Sequence, residues 1–539
     1  MASNKRILLL VILFPFFAFA NENKYIIYFK DKPFDSQLKN KFTPKAIAFR
    51  TKMNIPFDFR DDAVNANYIQ NLQQLGCKIL NQSNWLNAAM VSMNVDILSQ
   101  IKSLQFISDI IPIHKTNTNG ITAITIGDTC EAIQIPLTFE DNYTYSFAQE
   151  ALVNGQYLHE QGFNGEGMDI AICDNGFYNA NNNPAFTNIF STNRILGTYD
   201  YVHNDSLVYD EQAGSHGAYC FSFIAGTLSN QYIGTATKSN FYLFHTENNS
   251  GERLQEEFNL ATALERCSQL GVKVVSISLG YTTFDVPSEN HDTSDMMKND
   301  TPAAKAVNIA ASKGILVCVA AGNEGTKPWH YISTPSDADS AFAIASVDVN
   351  GNPAASSGWG LATDPRVKPN IAAAGQSVNY INTAGNIATG SGTSFATPQI
   401  AGLSACLWQA FPAKTNWEIK TAIEQSASQY LTPDKKIGYG IPDFQKAYNI
   451  LATSTFVSNN FLKDEITIYP NPFADKLTIE FKKNITVNRI KIFDNIGQEV
   501  FIQLAPTEFY LQLQNLPKGM YILQIDSDKG NFIKKIIKE

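Results

Sequence analysis

Between residues 142 and 452 the chain repeats one pattern: a short, continuously apolar run, then a helical stretch, then another apolar run. The runs Met168–Cys173, Val272–Ser278, Ile315–Ala320 and Ala341–Val347 lack the alternation of a strand with one wet face. A strand that is apolar on both faces must be covered on both, which is the situation in a parallel sheet between helices. Leu254–Leu270, stopped by Gly271, and Ala303–Lys313, stopped by Gly314, supply such helices. The fold class expected for 142–452 is therefore α/β, a mostly parallel sheet with helices on both faces. At 539 residues the chain exceeds one average domain, and 44% hydrophobic against 17% charged residues is enough for a large core. A net charge of -9, with no run of Lys and Arg, gives no electrostatic reason to bind nucleic acid.

The flanks read differently. Lys5 and Arg6 precede the apolar run Ile7–Phe19, and Ala18-Phe19-Ala20 is a small-x-small cleavage site, so residues 1–20 read as a signal peptide. The run is short for a membrane span and has no basic stop-transfer flank. Residues 24–115 mix strands (Tyr25–Phe29, Ala88–Met93, Ile107–Ile113) with helices (Asn67–Leu75, Ile97–Leu104), a small α+β domain. The polar stretch Thr116–Gly120 follows as a linker. After a second linker near Thr453–Asn460, residues 462–539 carry the short strands Ile466–Tyr469, Lys476–Phe481, Ile490–Phe493 and Met520–Ile525. Turn signals at Pro470-Asn471-Pro472, Asn495-Ile496-Gly497 and Pro517-Lys518-Gly519 complete the pattern of a small β-sandwich. The seven cysteines are scattered singly, without a C-x-x-C pair, and read as buried thiols rather than a zinc site. A Cys173–Cys220 disulfide stays open, because both lie beside candidate catalytic residues.

Amide cleavage needs a nucleophile, a base within reach, a group that fixes the base, and donors for the oxyanion. Asp174 ends the run Met168–Cys173, at the crevice where α/β folds build sites. His216, in Gly214-Ser215-His216-Gly217, opens a helical stretch, and its imidazole titrates near neutrality. Ser394, in Gly392-Thr393-Ser394-Phe395-Ala396-Thr397-Pro398, precedes the buried helix Gln399–Leu407. Pro398 is expected in that helix's first turn, where its missing N–H costs little. Asn323 follows a buried strand and offers an amide to an oxyanion, together with the Ser394 N–H. Each residue has a plainer reading: a turn residue, a structural His, a polar loop. The order Asp, His, Ser sets the constellation apart from the one in which His comes last.

These motifs resemble those of the subtilase family over residues 142–452. Gly392–Pro398 is similar to its Ser motif, Ser215-His216-Gly217 to its His motif, and the stretch around Asp174 to its Asp motif. Val275–Gly280 resembles the strand that pairs with substrate, and Val367–Ile371 and Gly438–Pro442 match its surroundings. Asn175, where Thr or Ser is usual, and Ala218 depart from the pattern without removing a reacting group. Residues 24–115 are similar to the propeptide of such proteases, through Tyr25–Phe29 and Trp85–Ala89. Residues 462–539 resemble the C-terminal sorting domain of type IX secretion cargo, through Tyr469–Pro472, Asn495–Gln498, Leu516–Tyr521 and Lys534–Lys538. An ordinary binding sandwich is the alternative for that unit.

The resemblance implies a secreted or surface-attached serine endopeptidase. Its nucleophile would be Ser394, its base His216 and its orienting acid Asp174, with Asn323 in the oxyanion hole. Substrate would pair with Ser278, Leu279 and Gly280, and Ala320, Ala321 and Gly322 would wall the pocket. Its partners would be protein or peptide substrates, its own propeptide as inhibitor, and the outer-membrane secretion machinery. No cofactor is required for the chemistry. Structural calcium is open, with Asp285, Glu289, Asp292, Asp295 and Asp300 of the insertion Tyr281–Thr301 as one candidate set. A binding protein on an inactive protease domain, a serine esterase and a peptide ligase are the competing readings.

Overall fold

The computed structural model describes residues 22–32, 41–113, 144–456 and 466–539, less short breaks at 482–484, 495–498, 505, 507 and 528–529. Residues 1–20, the linker Thr116–Gly120, Cys130 and the turn Asn495-Ile496-Gly497 lie outside the described residues.

The apolar runs form a seven-stranded sheet, in the order Ile371–Ala374, Phe342–Val347, Leu316–Ala320, Val274–Ile277, Asp169–Asp174, Asn240–His245, Ile195–Asp200. Every pairing in it is parallel. Three strands, Ile195–Asp200, Asn240–His245 and Ile371–Ala374, were not among the sequence candidates. Gly197 and Thr198 break the first run, the second opens on the polar Asn240 and closes on His245, and the third is only four residues long.

Side chains alternate across the sheet. Ile170 and Ile172 face the helices His216–Ala225 and Thr393–Ala410 in one core. Ala171 and Cys173 face Gln255–Leu270 and Pro302–Ser312 in the other. This alternation excludes the Cys173–Cys220 disulfide, because Cys220 belongs to a helix on the opposite face from the Cys173 thiol. Both are free thiols, like the other four described cysteines. No helix among the described residues is long and apolar enough to cross a membrane.

The first unit is a four-stranded antiparallel sheet, ordered Lys78–Ser83, Ala88–Asn94, Glu22–Phe29, Ile107–Ile113. Ile26, Ala88 and Met90 pack over Phe258, Leu264 and Val307 of the two helices of the large sheet. Tyr25, Ile27 and Val91 on the other face pack on the unit's own Leu72 and Ile101. A helix absent from the sequence reading, Pro44–Lys52, reaches past this interface. Its Phe49 enters the core under the large sheet beside Trp408, with ring centroids 6.2 Å apart. Arg50 pairs with Asp61 through both terminal nitrogens and also donates to Ser268 Oγ at 2.7 Å. The buried Lys313 finds its counter-charges in Asp58 (2.9 Å) and Asp61 (2.8 Å) of the first unit.

The C-terminal unit stacks three strands (Ile466–Tyr469, Lys476–Phe481, Tyr510–Gln512) on four (Glu499–Leu504, Val487–Phe493, Gly519–Ser527, Gly530–Lys538). Ile468, Leu477, Ile490, Leu523 and Ile536 fill the space between. The helix Phe444–Phe456 runs through the place where the second linker was expected to begin. Its buried Ala447 and Leu451 keep the helical period going.

One acidic side chain joins the first unit to the helix Gln255–Leu270. Glu265 accepts from Ser83 Oγ at 2.5 Å and from the amides of Asn84 and Trp85 at 2.9 Å each. Burial pushes its carboxyl from an ordinary 4.5 up to about 7, against the opposing pull of these donors and Lys32. Docked Glu265 therefore holds a proton that a solvated carboxyl releases above about 4.5. Its contribution to docking weakens as pH rises through that window. After the linker is nicked, dissociation of the first unit from a Ser394→Ala chain, followed by gel filtration, is expected to increase from pH 4.5 to 7. Glu265→Gln is expected to flatten that slope and to weaken docking by about 1.5–3 kcal/mol. Equal slopes in both chains would contradict the assignment.

Candidate active site

Asp174 is the last residue of the strand Asp169–Asp174, at the carboxyl end of the parallel sheet. The helix His216–Ala225 begins beside it. Gly217 permits the approach: a Cβ there would lie 2.4 Å from the Gly176 carbonyl and 3.0 Å from Asp174 Cβ. The result is a bond of 2.6 Å between His216 Nδ1 and Asp174 Oδ1. The Asn175 N–H donates to the same oxygen at 2.7 Å. Asp174 is fully buried, while the His216 side chain keeps 29% of its surface open. Burial alone would depress the imidazole's pKa. The adjacent Asp174 carboxylate outweighs it and holds His216 well above the usual histidine range.

Ser394 is the second residue of the helix Thr393–Ala410. Pro398 therefore lies inside the helix, not in its first turn. The difference has a local cause and a local remedy. Proline lacks the N–H that would bond the carbonyl four residues back, which is that of Ser394. Ser278 Oγ donates to that carbonyl at 2.9 Å, and Cys220 Sγ donates to it at 3.4 Å. Cys220 also sits 3.8 Å from His216 Nδ1, and the Phe395 ring stacks on the imidazole with centroids 6.2 Å apart. These contacts tie the serine turn to the histidine helix. Burial pushes the Cys220 thiol up to about 11, so it is a neutral donor rather than a second nucleophile.

Asn323 Oδ1 accepts from the Thr393 N–H at 2.9 Å and from Thr393 Oγ1 at 3.1 Å. Those bonds leave Asn323 Nδ2 as the free end of the amide. The Ser394 N–H also has no protein partner among the described residues. It belongs to the first turn of a helix, where N–H groups are open to a ligand.

The ladder of Val274–Ile277 ends at Ile277 on both sides, opposite Cys173 and Val319. Ser278, Leu279 and Gly280 continue beyond it. Ala320, Ala321 and Gly322 run alongside, and Ser333 lies between the two segments. A Cβ on Gly280 would lie 2.0 Å from Ser333 Oγ, and one on Gly322 would lie 2.6 Å from it. Ser333 and the donor roles of Cys220 and Ser278 were missed by sequence reasoning. Cys220 and Ser278 reach Ser394 across 174 and 116 residues, and Ser333 meets Gly280 and Gly322 from a separate segment, so no local pattern marks them.

The acids of the insertion Tyr281–Thr301 do not converge. Asp292 caps Ser294, Asp295 pairs with Lys298 at 2.8 Å, and Glu289 accepts from the Leu254 amide at 3.1 Å. The carboxylate trio among the described residues is instead Glu247, Glu252 and Glu256.

Family models match three segments: the subtilase family at residues 165–440, the Bacteroidota S8 peptidase propeptide domain at 24–124, and a secretion-system C-terminal sorting domain at 467–539. Thermitase of Thermoactinomyces vulgaris is 30% identical over 49% of this chain and 82% of that protein. A thermostable alkaline protease of Halalkalibacterium halodurans is 28% identical over 54% and 70%, respectively. Serine protease AprX of Bacillus subtilis is 28% identical over 55% and 67%. The sorting domain marks the protein as secreted or held at the cell surface. With the subtilase match spanning half of the chain, over the sheet that carries this site, the protein belongs to the subtilase family of serine endopeptidases.

Proposed function

We propose that the protein hydrolyses peptide bonds through an acyl-enzyme on Ser394. His216 takes the Ser394 hydroxyl proton and passes it to the leaving amine, and Asp174 holds the imidazole by its Nδ1 and stabilises the cation. Water then releases the acyl group by the same proton path. The Ser394 N–H and Asn323 Nδ2 receive the oxyanion. The observation that carries this reading is the 2.6 Å bond from His216 to a buried carboxylate, beside an amide locked by Thr393. Substrate adds as an extended strand along Ser278–Gly280, where the sheet's own ladder has ended. The reaction draws on no cofactor.

The domain organisation that goes with this activity is a signal peptide at 1–20, a propeptide at 24–115, the peptidase at 142–452 and a type IX sorting domain at 462–539. The docked first unit supports the role of the propeptide as intramolecular inhibitor, and the C-terminal sandwich supports engagement of the outer-membrane secretion machinery.

A fluorophosphonate probe applied to the matured protein is expected to label Ser394, as read by peptide mapping, and Ser394→Ala is expected to abolish labelling. No labelling of folded, propeptide-free protein would overturn the hydrolase mechanism. Comparing ester with protein substrates separates esterase from endopeptidase.

Asn323→Ala is expected to lower kcat by about 10²–10³-fold with little change in KM. The raised His216 pKa means the base is protonated, hence inactive, through the ordinary histidine range. The acid limb of kcat/KM should therefore lie above that range. Asp174→Asn should move the limb down and lower kcat by about 10⁴-fold. Ser278→Ala leaves the Ser394 carbonyl with the Cys220 thiol alone, and should cost about 1 kcal/mol in urea unfolding.

A further inference from the structure

Next to the catalytic strand, two parallel strands end on metal-binding side chains. Asp200 closes Ile195–Asp200 and His245 closes Asn240–His245, and the two residues are paired in register. His203 follows in the turn after Asp200. Asp200 Oδ1 is already engaged by the amides of Val202 at 2.7 Å and His203 at 2.9 Å. Oδ2 is left to face two imidazoles: His203 Nδ1 and His245 Nδ1 both lie 2.9 Å from it.

His245 is the informative member. It is 1% exposed, and neither ring nitrogen makes a hydrogen bond of acceptable geometry to the protein, although Nδ1 points at Asp200 Oδ2. Nδ1 is held by the Asp200 contact alone and Nε2 by no protein atom among the described residues, which is costly for a buried imidazole unless something else satisfies it. The Asp200, His203 and His245 donor atoms all lie within 4.8 Å of one another. Donors around a tetrahedral Zn²⁺ stand about 3.3 Å apart, given metal–ligand bonds of about 2.0–2.2 Å. The 2.9 Å from Asp200 Oδ2 to each imidazole Nδ1 is about 0.4 Å short of that spacing, so binding an ion draws the three side chains slightly apart. The strand ends are held by the ladder and by the bond from the Tyr201 amide to the His245 carbonyl at 2.9 Å.

We propose that Asp200, His203 and His245 bind a divalent first-row transition ion of the Zn²⁺ class, with water in the remaining position. Two imidazoles and one carboxylate suit such an ion. Calcium, which takes six or more oxygens, is unsuited to this set. His245 is also in register with Asp174 on its other side, so the ion stands one strand, about 5 Å, from the catalytic acid's row. Binding would lock the turn Tyr201–Asp205 and the ends of two strands against the catalytic one.

The test uses the untagged full chain carrying Ser394→Ala, to stop self-cleavage, and Cys220→Ser, to remove the competing Asp174–His216–Cys220 group. Chelator-stripped protein is titrated with Co²⁺ and then Zn²⁺. The expected result is a single Co²⁺ with intensified visible bands and no thiolate charge-transfer band. Zn²⁺ should displace it, with a rise in Tm. His203→Ala, in a half-exposed side chain, should keep the metal-free Tm, weaken binding at least ~10-fold and remove the Tm rise. Asp200→Asn serves as a second ligand variant. Absence of uptake by the folded chain, or unchanged Co²⁺ affinity and spectrum in His203→Ala, would overturn the assignment.

Discussion

The main-chain ladder that fixes Asp169–Asp174 between Asn240–His245 and Val274–Ile277 is the constraint on which the catalytic end depends. It sets where Asp174 ends and which face its carboxylate takes. Parallel strands in register end together, so one edge of the sheet collects Asp174, His245 and Asp200 in a row. Helices can then deliver their first residues to that edge. His216 and Ser394 both arrive this way, as the first and second residues of their helices.

The serine turn shows how a local defect becomes a tertiary bond. A proline inside a buried helix removes one donor, and the freed carbonyl is that of Ser394. Two side chains from other elements, Ser278 and Cys220, fill the gap. The helix, the segment that follows Val274–Ile277 and the histidine helix are thereby joined at a single oxygen. Rigidity at this point matters for the proposed mechanism, because an oxyanion site works only when its donors are already in place.

The first unit holds the rest of the molecule by two kinds of contact. Its sheet lies over the helices, with Glu265 holding the turn after Lys78–Ser83, and the helix Pro44–Lys52 inserts Phe49 into the core beyond. Lys313, buried in the catalytic unit, depends on Asp58 and Asp61 of the first unit for its counter-charge. Departure of the first unit would therefore uncover apolar surface and an unpaired cation together. That couples the stability of the full chain to the contact between the first unit and the large-sheet unit.

Much of this was legible in the chain itself. The buried strands near Ile170, Val275 and Val319 and the Ala-rich helix near Ala306 announce themselves by local periodicity, which depends on neighbours in sequence. The order Asp174, His216, Ser394 was legible for the same reason, because each sits in a short run whose glycines and apolar flanks dictate a turn at an element's end. Pairings between distant segments were not. That Pro398 lies within a helix, that Ser333 sits between Gly280 and Gly322, that Cys173 and Cys220 face opposite sides of the sheet, and that His203 meets His245 were decided only in three dimensions. The sequence determines which side chains lie on each face of an element. Which faces meet depends on the packing of segments tens to hundreds of residues apart, and only the closed tertiary structure settles it.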